Sequence, residues 1–313
     1  MTSWKQRARL TIDGINRRAT LDPIGFMQEE SERYRQEVYE AAMGLADSMV
    51  DRRLVMLSGP SAAGKTTTAG FLQEFLTKKG IETHVVSLDD FYRGRNLAPL
   101  LENGEYDYEA LEALDLPQLH TCMADILNKG ETLLPRFDFH TGAPAPEKRM
   151  LTIGHQAVVI FEGIHALNPV FEDRLPSDAV SRIFIHTHSP IYSGDEKLLA
   201  RRQLRLVRRS LRDFRFRNSP LDNTLDMWPQ VVRGENLYMF PYVKPTDIRI
   251  DTTHAYEPCI FAREFLPILE ETKLTEDDEL VMQPIRDALG QFAPLDPANM
   301  PEKALLWEFI GRG

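Results

Sequence analysis

The chain alternates between short continuous apolar runs and longer runs in which apolar residues recur at helical spacing. The short runs are rich in Val, Ile and Leu, a composition typical of buried strands. They predict five strands, in RLVMLS (53–58), at Thr83–Leu88, in QAVVIFEG ending at Glu162, in SRIFIHTH (181–188) and in TDIRIDT (246–252). Because helical segments separate these strands, we expect an α/β fold with a doubly wound, mainly parallel sheet flanked by helices.

The helical pattern also extends beyond the strands at both ends. An amphipathic helix is predicted from about Met27 to Val50, and another over 109–130, interrupted near Pro117. After His254 the chain is mostly helical and divided by prolines. We therefore expect an N-terminal helical extension (1–50), a core with a lid (51–253) and a C-terminal helical extension (254–313). The first helix could pack on the core or form an interface, which leaves a homo-oligomer open.

The stretch GPSAAGKTTT (59–68) fits the pattern G-x-x-x-x-G-K-[ST] of a phosphate-binding P-loop. The strand RLVMLS precedes it, and a helical pattern that ends near Gly80 follows it. Glycines let the backbone N–H groups turn inward, and the helix N-terminus adds positive charge. The alternative is an ordinary strand–turn–helix with a flexible glycine turn. We predict a P-loop for ATP and Mg²⁺, formed by Gly59, Ser61, Ala62, Ala63, Gly64, Lys65, Thr66 and Thr67.

Three acids follow predicted strands. Asp89 and Asp90 follow one strand, and Glu162 ends another. Ligands of open parallel sheets bind at the carboxyl ends of the strands, so we expect these acids beside the P-loop. One carboxylate is needed near Mg²⁺, and another can accept or orient the proton of an acceptor hydroxyl. The alternative is that these acids cap loops or helices.

The segment RRQLRLVRRSLRDFRFR carries eight arginines between Arg201 and Arg217. Helical geometry places two sets of residues on different faces. The basic face holds Arg201, Arg205, Arg208, Arg209 and Arg212, and the apolar face holds Leu204, Val207, Leu211 and Phe214. We expect the apolar face to pack and the arginine face to be available to anions, as a lid over ATP. A solvated basic face or a nucleic-acid patch is the alternative.

Bulk composition narrows the function classes. The formal net charge of −10 argues against a general nucleic-acid binder. Two cysteines form neither a disulfide framework nor a metal-ligand pattern, which suggests a reducing compartment. No apolar run approaches the length of a membrane span, and the N-terminus does not resemble a signal peptide. We therefore expect a cytoplasmic protein that acts on a small molecule and not at a membrane.

Taken together in their order along the chain, several motifs resemble the phosphoribulokinase/uridine kinase family of P-loop kinases. They are GPSAAGKTT, SLDDFYRG, YDYEALEALDL, PRFDFHTG, VVIFEGIHAL and RLVRRSLRD, and they span about Leu54 to Thr252. The continuation through RGENLYMFPY and the ending LLWEFIG resemble a bacterial uridine kinase-like subgroup. Members of that subgroup often carry an N-terminal domain similar to part of threonyl-tRNA synthetase. No such domain fits before Leu54, so we expect a short form.

The resemblance implies roles for matching positions only. It implies that Asp89 is the catalytic acid, that Glu162 lies on the metal side with Thr66, and that Lys65 binds phosphates. Asp107 matches a carboxylate that contacts the sugar, and Tyr92 matches an aromatic residue near the acceptor pocket. Two lid arginines, Arg209 and Arg212, match residues that meet phosphates or substrate.

One element departs from the family pattern. Pyrimidine nucleoside kinases read the base with the Tyr and the His of Y-D-[FY]-x-x-H. Here Phe137 replaces the Tyr and Gly142 occupies the position of the His, while His140 lies two positions away. Phe137 can stack on a ring but cannot donate a hydrogen bond, so polar recognition of a pyrimidine is weakened.

These observations predict an ATP- and Mg²⁺-dependent kinase that phosphorylates an alcohol, such as the 5′-hydroxyl of a nucleoside. A kinase for another sugar, phosphosugar or polyol is the alternative enzyme. A nucleotide-dependent switch without turnover is a further alternative, although it would not need Asp89. An RNA-binding module would depend on the arginine face alone.

Overall fold

The computed structural model describes residues 4–5, 7–48, 53–138, 141–173, 175 and 179–312. Its helices are α1 Ile12–Leu21, α2 Pro23–Ser48, α3 Lys65–Lys78, α4 Leu116–Lys129, α5 Arg201–Phe216, α6 Leu221–Gly234, α7 Glu257–Glu264, α8 Leu266–Glu271, α9 Glu276–Leu289 and α10 Trp307–Ile310. Its strands are β1 Leu10–Thr11, β2 Leu54–Ser58, β3 Thr83–Ser87, β4 Glu131–Leu134, β5 Phe137–Asp138, β6 Ala143–Pro144, β7 Arg149–Thr152, β8 Val158–Glu162, β9 Val180–His186, β10 Ile191–Ser193, β11 Glu196–Leu199 and β12 Ile248–Asp251.

A five-stranded sheet in the order β12-β9-β2-β8-β3 forms the centre of the fold. Every neighbouring pair in it is parallel. All five residues of β2 are buried, as expected for a central strand covered on both faces. Alternate residues of β2 enter different hydrophobic clusters, with Val55 and Leu57 on one side and Leu54 and Met56 on the other. The fold is therefore an α/β P-loop architecture with its core on both faces of the sheet.

The predicted strands agree with the observed ones, with small differences at their ends. The strand predicted to reach Leu88 ends at Ser87, because a 3-10 turn starts there and the Ser87 hydroxyl accepts the N–H of Asp89 at 3.4 Å. Pro117 does not interrupt a helix; it lies in the first turn of α4, where a missing N–H costs nothing. The N-terminal helix begins at Pro23, earlier than predicted, and Met49 and Val50 lie outside the described residues.

Both terminal regions pack onto the same face of the sheet. Buried residues of α1, α2, α7, α9 and α10 share one cluster with Val55 and Leu57 of β2. Short antiparallel strand pairs, β4–β7 and β5–β6, lie outside the central sheet, as does a small sheet in the order β1-β10-β11. Within the described ranges, none of the helices is both long enough and apolar enough to cross a membrane.

Candidate active site

The predicted chemical residues meet at one edge of the central sheet. The P-loop follows β2, Asp89 follows β3, and Glu162 is the last residue of β8. Since these strands are parallel neighbours, their carboxyl ends lie side by side. The edge therefore brings a helix N-terminus and two acids together, as the sequence predicts.

The P-loop has a tightly constrained backbone. A Cβ added at Gly59 would lie 2.6 Å from Cγ1 and 2.7 Å from the carbonyl oxygen of Ile185 on β9, so a larger residue does not fit there. Gly64 has a φ of 92°, which favours glycine, and Ala62 has a φ of 58°. Among the described residues, no acceptor meets the backbone N–H groups of Gly64, Lys65 and Thr66. These groups form the free end of helix α3 and can bind an anion.

Lys65 completes the positive charge of the loop. Its Nζ donates to the carbonyl oxygens of Gly59 at 3.1 Å and Pro60 at 3.5 Å. The ammonium group is therefore held across the loop, next to the free N–H groups. The Lys65 charge also acts to lower the pKa of Glu162 and of Glu109, so the ammonium group lies near both acids.

Two arginines of α5 donate hydrogen bonds to backbone carbonyl groups of the P-loop. Arg205 donates to Ser61 O at 3.0 Å and to both carboxylate oxygens of Glu235 at 2.6 and 2.8 Å. Arg208 donates to Ala62 O at 3.3 Å and to the Glu257 carboxylate at 2.7 and 3.1 Å. In a trans peptide, the C=O and the next N–H point in opposite directions. The N–H groups that follow these two carbonyls therefore point away from the arginines.

The prediction for the arginine face of α5 is therefore partly wrong. Arg205 and Arg208 are fully buried in ion pairs and are not available to a ligand, because acids from later elements cover them. On the apolar face, Leu204, Val207 and Leu211 are buried as predicted, but Phe214 is 47% exposed. Phe214 lies near the C-terminal end of α5, which ends at Phe216.

Arg209 and Arg212 share one carboxylate. Arg209 Nη1 donates to the Ser61 hydroxyl at 2.8 Å, and its Nε lies 3.2 Å from Asp213 Oδ2. Arg212 donates to Asp213 Oδ1 through Nη2 at 2.9 Å and Nε at 3.1 Å. Arg209 therefore contacts the P-loop itself, while Asp213 orients both guanidinium groups.

The two predicted acids have different environments. Glu162 is 8% exposed and accepts a hydrogen bond from Ser87 Oγ at 2.8 Å. Burial raises the pKa of Glu162 to about 7, against the opposing effect of Lys65. In the described part of the chain, the Asp89 carboxylate makes no hydrogen bond or ion pair, whereas Asp90 Oδ1 accepts the N–H of Phe137 at 3.2 Å. Asp89 is thus the acid free to meet a substrate, and Asp90 has a structural contact.

Asp107 lies in a polar cluster with Arg233 and Tyr238. Its Oδ2 accepts from Arg233 Nη1 at 2.8 Å and from the Tyr238 hydroxyl at 3.0 Å. Its Oδ1 accepts the N–H of Glu109 at 3.2 Å. Burial raises the pKa of Glu109 to about 7, and the charge of Arg209 is the largest effect in the opposite direction.

The predicted aromatic residues are also neighbours. The Tyr92 and Phe137 rings lie 5.7 Å apart at an angle of 58°. Burial and the charges of Asp89, Glu109 and Asp107 raise the pKa of Tyr92 well above its usual value. Gly142 has a φ of 67° and offers no side chain, while His140 lies outside the described residues.

Sequence reasoning missed several residues of this edge. Glu235 accepts the Ser61 N–H at 2.9 Å, and Glu308 accepts both the N–H and the hydroxyl of Thr67 at 3.0 and 2.5 Å. His165 is 2% exposed, and burial lowers its pKa to about 4. RGENLY and LLWEFIG, which contain the two glutamates, do appear in the resemblance, but nothing in their composition signals a contact with a distant loop.

The residues fit a nucleotide with Mg²⁺. Free N–H groups at a helix N-terminus, together with Lys65, suit a phosphate chain. Within the described ranges, no group of three His, Cys, Asp or Glu side chains could enclose a metal ion. Mg²⁺ in nucleotide sites takes one or two protein oxygens and completes its shell with phosphate and water. Thr66 and Glu162 could supply such oxygens.

Comparison with known proteins relates the chain to one family. The model of the "Phosphoribulokinase / Uridine kinase family" matches residues 54–256. A uridine kinase of Mycoplasma genitalium is 31% identical over 179 residues, which cover 57% of this chain and 75% of that protein. A uridine kinase of Saccharomyces cerevisiae is 26% identical over 196 residues, which cover 62% of this chain and 34% of that protein. A solved structure described as a possible uridine kinase from Bacillus stearothermophilus has a TM-score of 0.49 and 16% identity, covering 69% of this chain and 98% of that one.

Proposed function

The chain belongs to the phosphoribulokinase/uridine kinase family and is therefore a kinase that phosphorylates an alcohol; from this premise we propose that ATP is the phosphoryl donor, with Mg²⁺, and that a nucleoside is the acceptor. The observation that carries the proposal is the meeting of three features at one sheet edge. They are the P-loop N–H groups of Gly64, Lys65 and Thr66 and the Asp89 carboxylate, which have no partner among the described residues, and the buried Glu162. This combination suits phosphoryl transfer, in which positioning and charge stabilisation supply most of the catalysis.

Each residue has a role in this proposal. The loop N–H groups and Lys65 bind phosphate oxygens, while Thr66 and Glu162 hold the metal. Asp89 accepts or orients the proton of the acceptor hydroxyl. Arg209 and Arg212 stabilise negative charge as it develops. ATP, when bound, supplies the phosphoryl group.

The residues assigned to the acceptor pocket favour a site that accepts nucleosides with different bases. Phe137 and Tyr92 offer an aromatic pair, and Gly142 contributes no polar side chain. A site that hydrogen-bonds its substrate rejects analogues that lack the bonding group by about 10⁴–10⁵, whereas an apolar pocket discriminates by about 10–200. We therefore expect nucleoside activity that varies little between bases. Asp107 would contact the sugar hydroxyls whatever base is attached.

Arg233 favours a phosphosugar as the second candidate acceptor. Its side chain is 44% exposed and lies 2.8 Å from Asp107 Oδ2. An arginine in this position can pair with a phosphate on the acceptor while Asp107 contacts a hydroxyl.

The test is a comparison of kcat/KM for uridine, cytidine, adenosine, guanosine, free pentoses and phosphopentoses with ATP and Mg²⁺. The proposal predicts nucleoside values within about 200-fold of one another. Selectivity of about 10⁴ for uridine and cytidine over purine nucleosides would contradict the tolerant pocket. A phosphopentose that exceeds every nucleoside would make the second candidate the function.

A further inference from the structure

The C-terminal segment, residues 301–310, packs directly on the P-loop. Leu305 and Leu306 are fully buried. A Cβ added at Gly64 would lie only 2.6 Å from Leu305 Cδ1, so this leucine touches the glycine at the end of the loop. The short helix α10 then places Glu308 over the first turn of α3. Leu305 and Glu308 are thus the residues of this segment that contact the P-loop and the first turn of α3.

Glu308 occupies a position where a phosphate oxygen would bind. Its Oε2 accepts the backbone N–H of Thr67 at 3.0 Å and the Thr67 hydroxyl at 2.5 Å. N–H groups in the first turn of such a helix are the donors that anions use. A carboxylate oxygen takes the same donors as a phosphate oxygen, because both are anionic acceptors.

The charge of Glu308 is not neutralised as that of Glu235 is. Glu235 also accepts an N–H of the loop, from Ser61, but Arg205 binds both of its carboxylate oxygens. In the part of the chain that the structure describes, no Lys, Arg or His forms an ion pair with Glu308. A bound triphosphate would therefore meet an unpaired negative charge at its own binding position.

We propose that Glu308 is a self-inhibitory contact that stands in for nucleotide phosphate on the P-loop and that the nucleotide must displace. The proposal rests on the proposed nucleotide site. Because linkage is reciprocal, a contact that weakens nucleotide binding is itself weakened by the nucleotide. Binding should therefore loosen the C-terminal segment, and removing the carboxylate charge should strengthen binding.

The first test is calorimetric titration of the full-length protein with MgADP and MgATP, without an acceptor. Glu308→Gln keeps the size of the side chain and removes its charge. Glu302→Gln is the matched control, since Glu302 belongs to the same segment and its side chain is 82% exposed. We expect Kd to fall about 5- to 50-fold in E308Q, within the usual range of coupling between sites, and to stay within about twofold in E302Q. An equal or higher Kd in E308Q would overturn the proposal and make Glu308 a structural cap of α3.

The second test is amide hydrogen exchange of the unmodified protein, which decides the question even if E308Q does not fold. The N–H groups of Trp307, Phe309 and Ile310 donate to carbonyl oxygens within the segment. We expect them to exchange faster when MgADP is bound, and unchanged or slower exchange would contradict the proposal. If E308Q binds nucleotide with an unchanged Kd, only the self-inhibitory role of Glu308 is contradicted. If the unmodified protein binds no nucleotide, the proposed nucleotide site is contradicted, and the role of Glu308 with it.

Discussion

At the scale of single residues, the adjacent acids Asp89 and Asp90 have different contacts. Asp90 is held by the N–H of Phe137 at 3.2 Å, which explains its place as a loop-fixing residue. Asp89 lies on the same 3-10 turn, and its carboxylate has no hydrogen bond or ion pair with any residue that the structure describes. The residue pattern left both acids as candidates, because adjacent identical residues carry no signal of which side chain faces the site, and only the family resemblance pointed to Asp89.

Asp89→Asn should lower kcat by about 10²–10⁴, the usual contribution of a general base or positioning group. The Kd for MgATP should change little, because Asp89 is assigned to the acceptor and not to the phosphates. Steady-state kinetics and nucleotide titration check both expectations, with Asp90→Asn as the neighbouring control. If kcat of D89N stays within a few-fold of the unmodified protein while that of D90N collapses, Asp89 is the wrong acid.

Glu109 should make stability depend on pH. Its pKa is raised to about 7 by burial, so the folded state favours the protonated carboxyl. This contribution to stability is fully present below the unfolded pKa of about 4.3 and is lost as pH rises through about 7. Glu109→Gln should therefore gain about 1–3 kcal/mol relative to the unmodified protein between pH 5 and pH 8. Urea unfolding at the two pH values measures the difference, and a pH-independent difference would show that burial does not penalise this charge.

At the scale of elements, helix α5 divides its arginines between two tasks. Arg205 and Arg208 hold P-loop carbonyls within buried ion pairs, while Arg209 contacts the Ser61 hydroxyl and Arg212 pairs with Asp213. Helical spacing predicted the shared face but not this division. The partners Glu235 and Glu257 lie 30 and 49 residues further along the chain, and only the fold brings them to α5.

Arg208→Ala and Arg212→Ala should therefore differ in their effects on stability and on kcat. Arg208→Ala leaves Glu257 buried without its partner, which costs about 3–5 kcal/mol of stability. Arg212→Ala leaves Asp213 with Arg209 and Arg217 as partners, so it should cost only about 1 kcal/mol of stability but should reduce kcat. Thermal unfolding and kinetics of both variants separate the two effects. Equal losses of stability and activity in both would favour a purely structural role for the whole arginine face.

At the scale of the whole molecule, the terminal helices pack into the same hydrophobic cluster as the central strand β2. Helix α2 buries Phe26, Met27 and Tyr34, and the Tyr34 hydroxyl lies 2.7 Å from Thr68 Oγ1 on α3. The helical patterns at both ends were predicted as extensions, because periodicity indicates an apolar face but not the surface that receives it. Short strand pairs such as β5–β6 were not predicted, since two-residue strands have no detectable alternation.

Removing residues 1–48 should consequently destabilise the remaining chain. The truncation uncovers the apolar surface that α2 covers on the sheet and on α3, and burial of each large apolar side chain contributes about 1.5–3 kcal/mol. We expect the truncated protein to lose cooperative thermal unfolding by calorimetry. A cooperative transition at an unchanged Tm would instead identify the N-terminal region as a separable extension.

The central claim is that the P-loop binds the phosphates of the donor during transfer to an alcohol. Lys65→Ala tests it most directly, because Lys65 lies at the loop and makes only backbone contacts in the described structure. The measurement is phosphorylated product, detected by mass, from ATP and Mg²⁺ with the acceptor that the kinetic comparison identifies. The account predicts product from the unmodified protein and a loss of at least about 10²-fold in K65A, with an unchanged circular dichroism spectrum. Full activity in a folded K65A protein would contradict it.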